Sequence, residues 1–243
     1  MKTVLTGLAA VVLTVGAWIG PAAAKDLKFI TIDVAPWAWA DGPSGRLMGA
    51  FPDVVRELER RTGNHIAMSL QPFARINREL EAAAQDCTII VWIDSNDRFV
   101  KKGELVSDHP MGVIARPGVR LKTYDDLRSL TIAVLRGAPT DPRFDNDTTL
   151  RKDYDTTDYS QGLAKIAHNR VDAVAGAMPT IQFLAKQEGI PLGDQLQLGN
   201  IPLLLQCALK SPNLDQMPIL NQAIRDMQQD GTMARILKEN YFS

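Results

Sequence analysis

Three short stretches carry the residue types that could grip a small molecule. Pro36-Trp37-Ala38-Trp39 sets two indoles two residues apart. On extended backbone both rings would turn to one side, giving a flat apolar wall for a ligand or a pair packed under the next loop. Asp94-Ser95-Asn96-Asp97-Arg98 ends on a guanidinium, with the Ser95 hydroxyl three residues earlier. That planar fork suits a carboxylate held by two hydrogen bonds; the other reading is a solvent-facing pair with Asp94 or Asp97. Arg136-Gly137-Ala138-Pro139-Thr140 offers backbone N–H groups that a glycine lets an anion approach closely. Pro139 and Pro142 each remove a donor, and an ordinary strand-to-helix turn would look the same.

Residues for catalysis or metal binding do not assemble. His65, His109 and His168 are scattered with no HxxxH or HExxH spacing, and each reads as a surface or capping residue. There is no GxSxG elbow, and the Gly137 stretch is too short for a P-loop. Cys87 and Cys207 are the two cysteines, without a CxxC, so redox catalysis is not indicated. They form either a disulfide or two buried thiols. No catalytic residue, metal or cofactor is expected.

The elements that must position these stretches alternate between strand and helix, which predicts an α/β chain with mostly parallel sheets. Lys28–Asp33 reads as a first strand ending near Pro36. Asp53–Thr62 reads as a helix with Val54, Val55 and Leu58 on one face and Gly63 as its stop. A strand at His65–Leu70 leads to Phe73, Ile76, Leu80 and Ala84 at helical spacing, then to a strand at Cys87–Trp92. A second series starts near Gly112: a strand at Thr131–Leu135, a polar region Asp141–Asp158, a helix with Leu163, Ile166 and Ala167, a strand at Val171–Gly176, and a helix at 180–187 stopped by Gly189. A strand at Leu203–Leu209 precedes two amphipathic helices, one carrying Met217, Leu220, Ile224 and Met227, the other Met233, Ile236, Leu237 and Tyr241.

Residues 1–24 read as a leader: Lys2, an apolar run, then Pro21-Ala22-Ala23-Ala24 as a small-residue cleavage site. Cleavage after Ala24 predicts an exported chain beginning at Lys25, with no lipid anchor because residue 25 is not cysteine. Export argues against ATP- or NAD-dependent chemistry. The 27 basic and 28 acidic residues nearly cancel, without a basic block, so neither nucleic acid nor an anionic membrane is an expected partner.

Taken in order, these segments resemble family 3 of the periplasmic solute-binding proteins of ABC importers, which includes the polar amino-acid binders. The resemblance runs through Ala35-Pro36-Trp37-Ala38-Trp39, Gly49-Ala50-Phe51-Pro52-Asp53 and Arg61-Thr62-Gly63. It continues in Gln71-Pro72-Phe73-Ala74-Arg75 and Ser95-Asn96-Asp97-Arg98, then in Tyr124–Leu130 with the strand after it. Asn169-Arg170-Val171-Asp172-Ala173 and Asp230-Gly231-Thr232 with Ile236, Leu237 and Tyr241 complete it.

The resemblance implies a two-lobed type II periplasmic binding protein fold, with two hinge crossings and a ligand cleft between lobes. Lobe 1 would be 25–110 with 200–243, and lobe 2 would be 111–199. Arg98 would hold a carboxylate, Gly137 and Ala138 would offer N–H groups, and Trp37 or Trp39 would wall the cleft. Arg75 would also face it, and the Cys87 and Cys207 strands would lie side by side, favouring a disulfide. The implied partners are a small solute and an inner-membrane ABC permease, for a monomer diffusing in the periplasm.

Departures from the pattern bear on the solute. The acidic residue that grips an α-ammonium falls at Ala177, the usual hydroxyl before the arginine at Ile93, and the usual aromatic at Val34. An unpartnered ammonium in a closed cleft is costly, so an acidic or otherwise non-standard solute is expected unless Asp94 substitutes. The rival expectations are a cyclohexadienyl dehydratase-like enzyme and a binding component of a sensor or oxidoreductase system.

Overall fold

A computed structural model describes residues 24–42, 44–136 and 139–241; residues 1–23 of the expected leader therefore lie outside the described residues. The chain opens with β1 (Asp26–Ile32), whose Leu27, Phe29 and Ile30 are buried. A turn leads to the small hairpin β2 (Trp39–Ala40) and β3 (Leu47–Met48), and then to α1 (Ala50–Thr62). Phe51, Val54, Val55 and Leu58 form the buried stripe of α1, and Gly63 ends it in the left-handed conformation at φ 73°.

β4 (His65–Gln71), α2 (Phe73–Glu81) and β5 (Cys87–Val91) follow. Beyond a 3₁₀ turn at Asp94–Asn96 comes β6 (Val100–Ala115), a strand of 16 residues. β7 (Thr131–Val134), α3 (Pro142–Asn146), β8 (Arg151–Asp153), α4 (Tyr159–Ala167) and β9 (Ala173–Ala177) form the next series. α5 (Met178–Glu188) ends at Gly189, again left-handed at φ 67°. The 14-residue β10 (Gln195–Ala208), α6 (Met217–Gln229) and α7 (Thr232–Tyr241) close the fold.

All the longer strands join one sheet in the order β4-β1-β5-β10-β6-β9-β7-β8. β1 pairs parallel with β4 and β5, and β7 with β8 and β9. β10 runs antiparallel to β5 and β6, and β6 to β9, so the sheet is mixed, with four of its seven pairings parallel. The three antiparallel pairings all involve β6 or β10, the strands that span the molecule.

Apolar side chains separate along these two strands. Leu27, Phe29, Phe51, Leu58, Val106, Leu205, Leu220 and Ile224 share one core, which α1, α6 and α7 cover. Ile30, Ile76, Leu80 and Phe99 pack on the opposite face, under α2. Val113, Leu127, Ile132, Phe144 and Ala175 form a core in the other half, and Ile114, Leu163, Ile166 and Ile181 a further one under α4 and α5. Each helix buries one stripe against one half of the sheet, so the apolar driving force holds two halves internally and leaves their junction to the two long strands. Between the halves Pro110 lies opposite Asn200 and Pro202 opposite Asp108, with register shifts at 197/199, 203/204 and 204/206. Such irregularities increase local twist and bend the ladder.

The structure joins Cys87 and Cys207 in a disulfide between directly opposed residues of β5 and β10. The sequence reading misses β6 altogether and the first half of β10, because Pro110, Pro202, Gly103 and Gly199 interrupt their patterns. It also misses α3 and β8 inside the polar region. Among the described residues no helix is long and apolar enough to cross a membrane.

Candidate functional site at the junction of the two halves

The turn after β1 is fixed by the start of α1. The N–H groups of Ala50 and Phe51 donate to the carbonyls of Pro36 and Trp37 at 3.1 and 2.8 Å, giving otherwise orphaned helix donors a partner. Gly49 makes this approach possible: it sits at φ +113°, and a Cβ there would lie 2.7 Å from the Trp37 carbonyl oxygen. The Trp37 and Ala38 amides both donate to the Val34 carbonyl at 3.0 Å, so the segment is a turn and not an extended strand.

Trp37 therefore points inward and is only 4% exposed. Its ring packs with Phe51 at 5.2 Å, with His109 of β6 at 4.4 Å and with Tyr241 of α7 at 4.7 Å. Its Nε1–H donates to the Thr180 hydroxyl at 3.2 Å, across to the first turn of α5. Trp39 is half-buried and meets Phe183, one helical turn further along α5, at 5.5 Å between centroids. Both indoles thus reach from the first half to the second.

His109 corrects the expectation of a surface or capping residue: it is 6% exposed, on the strand that crosses between halves. Burial pushes its imidazole down to about 4, so the ring is neutral at physiological pH. Its Nδ1 has no hydrogen-bond partner among the described residues. The sequence does carry a signal for this position. His109, Met111, Val113 and Ala115 alternate at the strand period and are all buried.

At the start of α5, the Ala177 N–H donates to the Tyr159 hydroxyl at 3.0 Å. Gly176 leaves room for that hydroxyl, which lies 2.5 Å from where a Cβ would stand. Burial raises the Tyr159 phenol above its ordinary range, against the lowering effect of the Ala177 bond. The hydroxyl keeps its proton and accepts from the backbone, so it remains a donor. Tyr159, Thr180 and Phe183 were not marked by any motif.

Asp94, Ser95 and Arg98 are exposed around the 3₁₀ turn that follows β5. Asp94 accepts from the Trp92 Nε1–H at 2.8 Å, and Arg98 lies 5.7 Å over the Phe99 ring. No ion pair joins Arg98 to Asp94 or Asp97 among the described residues, which leaves its fork open. Arg75, on α2, is exposed and donates to Gln71 at 3.0 Å. Asp94, Ser95 and Arg98 thus stand in solvent around one turn, while the two tryptophans meet the same helix, α5, Trp37 buried and Trp39 half-buried.

The third stretch is more constrained than its sequence suggests. Gly137 and Ala138 lie outside the described residues. The amides that follow, Thr140 and Asp141, both donate to the Asp145 carboxylate at 3.0 and 3.2 Å. Asp141 in turn caps α3 through the Arg143 and Phe144 amides. Arg136 is held by the Tyr154 carbonyl and Asp155. No group of three or more metal-ligating side chains converges among the described residues.

No family model and no curated protein matches the chain. Solved structures do. An ancestral cationic amino-acid solute-binding protein superposes with a TM-score of 0.74 at 16% identity, over 89% of this chain and 95% of its own. An ancestral amino-acid-binding protein described as a precursor of cyclohexadienyl dehydratase gives 0.68 at 16%, over 90% and 96%. A Salmonella typhimurium periplasmic binding protein of high arginine specificity gives 0.65 at 17%, over 90% and 100%. The fold is thus that of the two-lobed solute-binding proteins: two α/β lobes, two strand crossings and a cleft between them. At these identities the likeness extends to architecture and leaves the solute open.

Proposed function

We propose that the chain is an exported, periplasmic solute-binding protein of an ABC-type importer, closing around a small carboxylate-bearing solute and delivering it to a membrane permease. One observation carries this reading: two separately packed halves are joined by β6 and β10, with side chains from both meeting where those strands cross. Such a body can change the angle between its halves without disturbing either core, and a ligand touching both favours closure. We take residues 25–110 with 200–243 as one closing unit and 111–199 as the other. Arg98, with Ser95 on the same turn, is the proposed carboxylate grip, and a guanidinium without an ion pair among the described residues supports that role. Gly137 and Ala138 are the proposed donors from the second unit.

The solute class follows from what lies near α5. Position 177 is an alanine whose amide is already bonded to Tyr159, so no carboxylate stands there for an α-ammonium, and the Tyr159 hydroxyl that accepts this bond keeps its own hydrogen to donate. A region supplying donors favours a carboxylate or neutral oxygen over an α-ammonium. Arg98→Ala should abolish the thermal stabilisation given by the solute that co-purifies with the protein, identified by mass spectrometry, while the solute-free melting temperature stays put. Undiminished stabilisation in that variant would remove Arg98 from the site.

A second reading has one observation in its favour, the structural likeness to a protein described as a precursor of cyclohexadienyl dehydratase. Asp94 would then have to act as general acid. Turnover of prephenate or arogenate, lost in Asp94→Asn, would select this reading.

A further inference from the structure

We infer that Trp37 and Trp39, with Thr180 and Phe183, form a built-in clasp that holds the two halves together without any solute. The proposal deepens the binding reading above, since it concerns the closure on which that reading rests.

Trp37 is packed as a member of the first core, against Phe51 and Tyr241, and its indole N–H is the ring's single polar atom. Its acceptor is Thr180, in the other half and 1% exposed. Separating the halves would leave the Thr180 contact broken and bring water to a ring that is now dry. One helical turn along, Trp39 and Phe183 repeat the arrangement. Residues three apart on a helix share a face, so Thr180 and Phe183 present one edge of α5 to one turn of the first half.

The turn is itself rigid, bound by the α1 amides and by Val34, so the indoles are held in position before the halves meet. His109 lies under Trp37 on the crossing strand, which places the clasp beside the pivot. Opening parts Trp37 from Thr180 and closing restores the contact, so its free energy counts toward the closed state alone. It therefore sets the closed-to-open ratio of the empty protein, and through it the apparent affinity for solute.

The test places spin labels on Ala164→Cys of α4 and Ala234→Cys of α7, both exposed and on opposite halves. The native cysteines are bonded to each other and do not compete. Electron–electron distance measurements are made on protein refolded from guanidinium to strip any solute. The parent should show the single label separation set by the structure. Thr180→Val leaves a buried indole N–H without an acceptor and should shift the closed-to-open ratio by about 5- to 150-fold. Combined with Phe183→Ala, it should produce a second, longer separation. Thr180→Ser, which keeps the oxygen, should restore the parent distribution.

A solute-free parent already at the longer separation would overturn the proposal, as would a double variant indistinguishable from the parent. Because no solute is present, a failure here is separate from a failure of the binding reading, which rests on the Arg98 experiment.

Discussion

At the residue scale, His109 makes the molecule sensitive to acid in a defined window. Its folded value of about 4 lies below the ordinary 6.5. A depressed value means the associated stability is whole above about 6.5 and is lost as pH falls through 4, because the unfolded chain takes up the proton first. The shift corresponds to roughly 3 kcal/mol at full protonation. His109→Gln should flatten the dependence of unfolding free energy on pH between 6.5 and 4, measured by urea titration; an unchanged slope would place the sensitivity elsewhere. Glu57, held down to about 2 chiefly by its hydrogen bond from Arg60, acts in a lower window, between about 4.5 and 2. The two effects are therefore separable by pH alone. The sequence exposes the chemistry of this region unevenly. Trp37 and Trp39 stand out by type and spacing, whereas Thr180 and Phe183 look like any residues of an amphipathic helix. The meeting of Trp37 with Thr180 spans 143 positions, which no local pattern encodes.

At the element scale, β6 and β10 carry the architecture. A proline removes a ladder donor and a glycine a side chain, so β6 escapes the sequence reading and β10 reads as shorter than it is. The apolar stretch of β10 from Leu203 onward is legible for that reason, and its first half is not. Helix limits were plainer, since Gly63 and Gly189 both occupy left-handed caps where their sequence positions suggest a stop. The Cys87–Cys207 bond fastens β10 to β5 and closes a loop of 120 residues. Constraining so long a loop in the unfolded chain is worth about 2–5 kcal/mol. Replacing both cysteines by alanine should lower the urea midpoint correspondingly, and an unmoved midpoint would mean the strand pairing alone suffices. Arg61 adds a second tie, joining Glu57 of α1 to Asp230 between α6 and α7 at 2.6 and 2.7 Å.

At the scale of the whole molecule, four cores on one sheet, two in each half, give a body whose halves are packed separately and joined by two strands. That organisation follows from the order of elements: two strand-and-helix series in succession, then a return strand and two helices that pack back on the first series. The order was visible in the sequence, and the sheet that unites the series was not, because its continuity resides in the two interrupted strands. The proposed function turns on this junction taking a small carboxylate in preference to an ordinary amino acid. Isothermal calorimetry on solute-stripped protein, against a panel of small carboxylic acids and plain L-amino acids, tests it most directly. The account predicts one-to-one binding of an acid lacking an α-ammonium, with the negative heat-capacity change of apolar surface leaving water. Tight binding of a plain L-amino acid, unaffected by Asp94→Asn, would contradict it.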